Sequence, residues 1–203
     1  RFARNDMRVF SSSQLISMNT HPPIADTITM VELMKVMPGA RRALFMKYHI
    51  GGCQSCGFQD SETLAQVCER NDNLPMAEVI AHLEESASHD LAIQILPDEF
   101  KLKLDDSATM KLLDIRSREE FEAVRINGSE LLTTDLQQDA FATWHHSQQV
   151  VIIDHKGDRS LDVAAFFIGH GLTETRALHG GIDAYAKDAD TSLPRYNIEL
   201  GDN

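Results

Sequence analysis

Little in this sequence could build a disulfide scaffold. Its 203 residues include three cysteines, too few and odd in number, where small secreted domains carry a dense, even set. Long apolar runs are also missing, since none approaches the roughly 18 residues that a bilayer-spanning helix needs. The opening stretch RFARNDMRVF has neither an initial Met nor the apolar core of a secretory signal. The expectation is a cytoplasmic chain, and a fragment of a longer or trimmed product. Positive charge is scarce as well. Nineteen Lys and Arg stand against 31 Asp and Glu, a formal charge of −12. The one basic cluster, Arg41-Arg42 with Lys47, falls on a single short helix and reads as a solvated face. Phosphate contacts need a clustered basic surface, so neither a nucleic-acid nor a membrane partner is expected.

What is present has two grammars. Residues 1–23 lack periodicity, and Ser11-Ser12-Ser13 and His21-Pro22-Pro23 read as linker. Helical spacing follows. Thr29 is a predicted N-cap, Glu32 three residues on completes a capping box, and Pro38-Gly39 ends the segment. Ala40–Tyr48 forms a second piece with Leu44, Phe45 and Tyr48 on one spacing. After the loop GGCQSCGFQD, Ser61 is the predicted cap of a third helix carrying Leu64, Val67 and Cys68. Leu74-Pro75 opens a fourth, with Met76, Val79, Ile80 and Leu83 facing one way. From about Leu91 the pattern alternates. LAIQI, MKLLDI, VVIID and TRALHGG are predicted strands, and residues 97–104, 118–124, 160–170 and 182–187 are predicted helices. Such alternation predicts a parallel sheet with helices on both faces. The division is therefore a linker over 1–23, a small all-α domain over 24–86, and an α/β domain over 91–203.

The most informative local feature is VVIIDHKGDRS. A buried strand runs into a short polar loop, Asp154-His155-Lys156-Gly157-Asp158-Arg159-Ser160, and a helix follows. Backbone N–H groups converge at such a strand–loop–helix junction and favour negative charge. Here the first loop residue is itself an acid. An ionised carboxylate can accept those N–H groups and would repel a dianion. A carboxylate nucleophile would call for a metal-binding acidic cluster, which the neighbouring sequence lacks. Asp158 and Asp162 suit the first turn of the helix through its dipole.

Three pieces of the second half occur in a fixed order: LLDIRSREEFEAVRINGS, then the loop with its helix, then LHGGIDAYAKDADTSLPRY. Together, over residues 93–196, they resemble the rhodanese-like domain of sulfurtransferases. The resemblance rests on Asp114-Ile115-Arg116 with Glu119-Glu120-Phe121, on Gly180-Gly181-Ile182-Asp183-Ala184-Tyr185, and on the ending SLPRY. Arg125 stands where the family usually has His. The family's active loop is C-x-x-G-x-R-S, whereas this chain has D-x-x-G-x-R-S, matching at Gly157, Arg159 and Ser160 but not at Asp154. The resemblance implies an α/β rhodanese-like fold. In active members, it implies, the cysteine carries sulfane sulfur as a persulfide; a lowered thiol pKa in the cradle aids that step. With Asp154 in that place, no thiosulfate:cyanide transfer is expected, and residues 154–160 become an anion-binding loop filled by its own acid.

The segment LFMKYHIGGCQSCGFQDSETLAQVC, within residues 24–83, resembles a small helical redox-disulfide domain associated with hybrid-cluster proteins. A similar module begins di-iron proteins that repair iron–sulfur clusters, but with adjacent cysteines. Three readings of Cys53 and Cys56 stand open. They form a redox or sulfur-carrying pair, they hold an iron–sulfur cluster or zinc, or they are inert thiols. Structural zinc takes four ligands, and Cys68, His49 and His82 are the others at hand. Cys68 shares a face with Leu64 and Val67 and reads first as a core thiol. His145-His146 reads as a surface pair. His155 and Lys156 could touch a bound anion or partner. His179, just before Gly180-Gly181, reads as a satisfied polar residue near the ligand crevice of open α/β sheets. The methionines between Met30 and Met46 read as core or a docking face. The expectation is a protein of sulfur or iron–sulfur metabolism acting through Cys53 and Cys56. Its α/β domain would serve as a docking or anion-sensing module for a relay partner or a small anion. The rivals are an interaction protein with structural thiols and a metal or cluster carrier.

Overall fold

The computed structural model describes residues 24–51, 57–106 and 109–196. Within them the chain divides into two compact units between Ala92 and Ile93.

The first unit is helical: α1 (Met30–Val36), α2 (Ala40–Tyr48), α3 (Leu64–Arg70) and α4 (Met76–Ala92). The box foreseen at Thr29 closes α1. The Thr29 hydroxyl accepts the Glu32 N–H, and the Glu32 carboxylate accepts the Thr29 N–H at 3.0 Å. A second box starts α3, but its cap is Thr63 rather than Ser61. Thr63 has Gln66 three residues on to return the bond, at 2.9 Å, whereas the same offset from Ser61 reaches Leu64. The two caps also pair in an antiparallel bridge, Thr29 with Thr63, which sets the starts of α1 and α3 side by side. Losing an N-cap oxygen costs about 1 kcal/mol. Thr63→Ala should therefore lower the urea midpoint of this unit, and Ser61→Ala should leave it nearly unchanged.

Apolar residues at helical spacing from all four helices, among them Met30, Leu33, Leu44, Leu64, Val67, Val79 and Leu83, are buried together. Met46 is exposed, so the methionine-rich stretch is split between core and surface. The fourth helix outlasts the expected boundary at residue 86. Buried Asp90 pairs with Arg42 and ties the last turn of α4 to the first turn of α2. The predicted strand LAIQI is thereby reduced to its last two residues.

The second unit continues with β1 (Gln94–Ile95), α5 (Pro97–Asp106), β2 (Lys111–Asp114) and α6 (Arg118–Ala123). Then come β3 (Ser129–Leu131), α7 (Thr134–Thr143), β4 (Val150–Ile153), α8 (Asp158–Gly169), β5 (Thr175–Leu178) and α9 (Gly181–Ala184), which runs into a π-helical turn, Tyr185–Ala189. The sequence pattern had shown neither β3 nor the extent of α7. All pairings in the sheet are parallel, in the order β1-β5-β4-β2-β3.

Burial alternates with period two. Leu112, Val151, Ile153 and Leu178 lie on one face with Phe100, Ile182 and Tyr185. Leu113, Val150, Ile152 and Ala177 lie on the other with Ala140, Leu161 and Phe167. The run VVII reads as unbroken apolar sequence because β4 is central and covered on both sides. The chain moves outward from β2 to β3, then returns to lay β4 on the other flank of β2. That reversal makes the carboxyl ends of β2 and β4 a switch point, where open α/β sheets hold ligands. Among the described residues, no helix is long and apolar enough to cross a membrane.

Candidate functional site

At the switch point the chain leaves β4 through Asp154 and enters α8 at Asp158. The Asp154 carboxylate turns back into this loop. One oxygen, Oδ1, accepts the Gly157 N–H at 2.6 Å; the other, Oδ2, accepts those of Arg159 at 2.8 Å and Ser160 at 3.2 Å. The residue is 4% exposed. Donors that would otherwise face an external anion at this helix start are thus occupied by a tethered one.

The loop's path depends on two glycines. Gly157 has φ +91°, and a Cβ there would lie 2.6 Å from the Gly180 nitrogen. At Gly181, φ is +61° and a Cβ would lie 2.5 Å from the His155 carbonyl. Behind the loop, the Asp154 and His155 carbonyls accept the N–H groups of Ile182 (2.9 Å) and Asp183 (3.1 Å). The Gly180-Gly181 pair is therefore part of the loop's backing.

Around the carboxylate, Lys156 and Arg159 are exposed. Asp158 is raised above the ordinary aspartate range, first by burial and then by the Asp154 charge. The Ser160 hydroxyl and His155 Nδ1 are buried and have no hydrogen-bond partner among the described residues. His179 Nδ1 lies 2.6 Å from Gln94 Oε1, and burial lowers its pKa, which fits the satisfied residue expected there.

A second group of residues, which the sequence marks only as signatures of the resemblance and not as a site, stands beside the loop. Asp114, fully buried at the end of β2, receives the Arg116 guanidinium at 2.6 Å and 2.9 Å. Burial alone would lower the Arg116 pKa, but the bonds and charge of Asp114 outweigh it and leave the pKa raised. The same guanidinium donates to the Val124 carbonyl (2.7 Å) and the Tyr196 oxygen (2.6 Å). Tyr196 in turn donates to Glu120 at 2.9 Å, and Glu120 shares a capping box with Ser117. Burial pushes the Tyr196 phenol up, which favours the protonated donor this bond requires. Its ring stands 4.7 Å from that of His155. A buried Asp two residues before an Arg at a strand end was the available signal for this network.

Arg195, next along, binds Asp183 through two bonds of 2.8 and 2.9 Å. Those bonds hold the Asp183 carboxyl below the usual range. A depressed carboxyl pKa contributes stability above the unfolded value and loses it as pH falls through the folded one. The melting-temperature gap between the native chain and Arg195→Ala should therefore be present at neutral pH. It should close as pH drops below about 4, the ordinary aspartate pKa.

The remaining candidates fall elsewhere. Cys53 and Cys56 lie outside the described residues. Cys68 is a buried free thiol, and burial raises its pKa. His82 Nε2 sits 3.0 Å from the Ala43 carbonyl and its ring packs edge-on to Tyr48, so it serves the contact between α4 and α2. His49 takes the left-handed position that ends α2. His145 and His146 are exposed, with Nδ1 atoms near the Ser147 hydroxyl and the Gly171 carbonyl. Among the described residues, no group of three or more His, Cys, Asp or Glu is arranged to hold a metal.

Residues 96–188 match the family model described as the rhodanese-like domain. They form a rhodanese-like domain. The thiosulfate sulfurtransferase GlpE of Pseudomonas aeruginosa is 27% identical over 101 residues, covering 49% of this chain and 90% of that protein. Among solved structures, a Staphylococcus saprophyticus protein is similar at 24% identity, covering 50% of this chain and 98% of its own, with a TM-score of 0.40. A rhodanese-like domain protein from Staphylococcus aureus is similar at 24% identity over 51% of this chain and 98% of its own, with a TM-score of 0.39. The rhodanese-like domain thus holds the loop, both glycines that back it and most of the Arg116 network; Arg195 and Tyr196 follow the matched residues.

Proposed function

We propose that this is a rhodanese-like protein without a catalytic cysteine, acting in sulfur or iron–sulfur metabolism. In this reading Cys53 and Cys56 carry the redox or sulfur chemistry, and the rhodanese-like domain is a docking or anion-sensing module for a partner in the relay. The observation that carries it is the Asp154 carboxylate bonded to the N–H groups of Gly157, Arg159 and Ser160. A carboxylate so placed has no sulfur to form a persulfide, and its charge opposes thiosulfate. The sulfurtransferase relationship of the domain supports the metabolic setting.

Cys68 favours a second reading, a non-catalytic interaction protein with structural thiols, because it is buried with a raised pKa. Alkylation separates the two. One of Cys53 and Cys56 reacting rapidly at mildly acidic pH, while Cys68 stays slow, is the outcome of a redox pair. Three slow thiols would leave only the interaction protein. Metal analysis of anaerobically purified protein adds the third arm, since stoichiometric iron or zinc lost in a Cys53→Ser, Cys56→Ser variant would make the chain a metal or cluster carrier.

A further inference from the structure

The short segment at Arg195 and Tyr196 touches the Asp154 loop from two directions. Arg195 grips Asp183, whose N–H holds the His155 carbonyl. Tyr196 covers the His155 ring, with its hydroxyl fixed between Arg116 and Glu120. The closed arrangement also carries a cost, because His155 Nδ1 and the Ser160 hydroxyl are buried without partners among the described residues. Water would satisfy both on opening, so the closed loop depends on contacts outside itself.

We propose that Arg195 and Tyr196 form a latch that keeps the loop closed on Asp154, and that drawing Tyr196 away loosens the loop. The latch holds directional bonds with the buried Arg116 guanidinium and with the Glu120 and Asp183 carboxylates. Release trades these for hydration of the two unpaired atoms. A partner that binds the Tyr196 ring or competes for Arg195 thereby changes the state of the loop without entering it, through its different affinity for the latched and unlatched forms. Such motion of the loop requires no chemistry at Cys53 or Cys56.

The test is amide exchange on the full chain, read at Gly157, Arg159 and Ser160, whose N–H groups bind Asp154, and at Val151 and Ile152 in the neighbouring strand. In Tyr196→Ala the three loop amides should exchange about tenfold faster or more, as expected when a charge-assisted hydrogen bond is lost. The strand amides should change far less. Arg195→Ala removes a pair at the surface and keeps the core intact; it should accelerate the same three amides by about threefold. Loop amides unchanged in both variants would overturn the latch. So would acceleration that merely matches Val151 and Ile152, because that outcome is general destabilisation. Should Tyr196→Ala fail to fold, the Arg195→Ala result decides by itself.

Discussion

Replacing Arg116 with Met should destabilise the α/β unit by about 3–5 kcal/mol, the cost of removing one partner of a buried ion pair. Asp114 is fully buried, and without the guanidinium its carboxylate keeps, among the described residues, only the Arg116 backbone N–H at 3.0 Å. The Val124 carbonyl and the Tyr196 oxygen lose a donor in the same step. A loss of this size is a large part of a domain's usual stability of about 5–15 kcal/mol. Urea denaturation of the variant should show it directly. Asp114→Asn combined with Arg116→Met should cost less than the sum of the two single changes, since the second removes a charge the first has stranded. Strict additivity would mean that the two side chains are not energetically coupled.

Gly181→Ala should be nearly as damaging, at about 3 kcal/mol. Part of that is the left-handed backbone, which costs an L-residue roughly 1–2 kcal/mol. The rest is overpacking, typically about 1–3 kcal/mol, because the new methyl would lie 2.5 Å from the His155 carbonyl and 2.6 Å from that of Asp154. Neither neighbour is the end of a flexible side chain. Both are backbone atoms that accept bonds from Ile182 and Asp183, so relief of the clash must break the backing of the loop. Gly128→Ala is the control. That glycine also has positive φ, but its Cβ would meet nothing within 4 Å, so only the conformational part should appear. Equal losses at the two positions would contradict the close approach at Gly181.

How much of this was legible depended on range. Thr29 with Glu32, the unbroken run of β4 and the polar loop after it are local patterns, and the sequence displays them. The fold class followed from the alternation after Leu91 together with the resemblance to the rhodanese-like domain. Ser61 and Thr63 both precede the apolar residues of α3 and are both cap-forming residue types; only the partner three residues on, Gln66, selects Thr63. The strand LAIQI gave way to a helix because Asp90 binds Arg42, a contact spanning 48 positions. β3 has a half-exposed, polar-interrupted sequence, SEL, with no periodicity to read. The bond from Arg116 to Tyr196 spans 80 positions, so no spacing rule could suggest it. The three N–H groups on Asp154, by contrast, lie within six residues of it, which is why the loop could be read as closed on its own acid.

Thiosulfate:cyanide transfer by the purified chain is the most direct measure of whether that closed loop is catalytically silent. The native protein should show no turnover attributable to the loop, and any residual transfer should disappear in a Cys53→Ser, Cys56→Ser variant. Robust turnover that survives replacement of both cysteines but is abolished by Asp154→Ala would contradict the account, since it would make the carboxylate a participant in sulfur transfer rather than the group that fills the cradle.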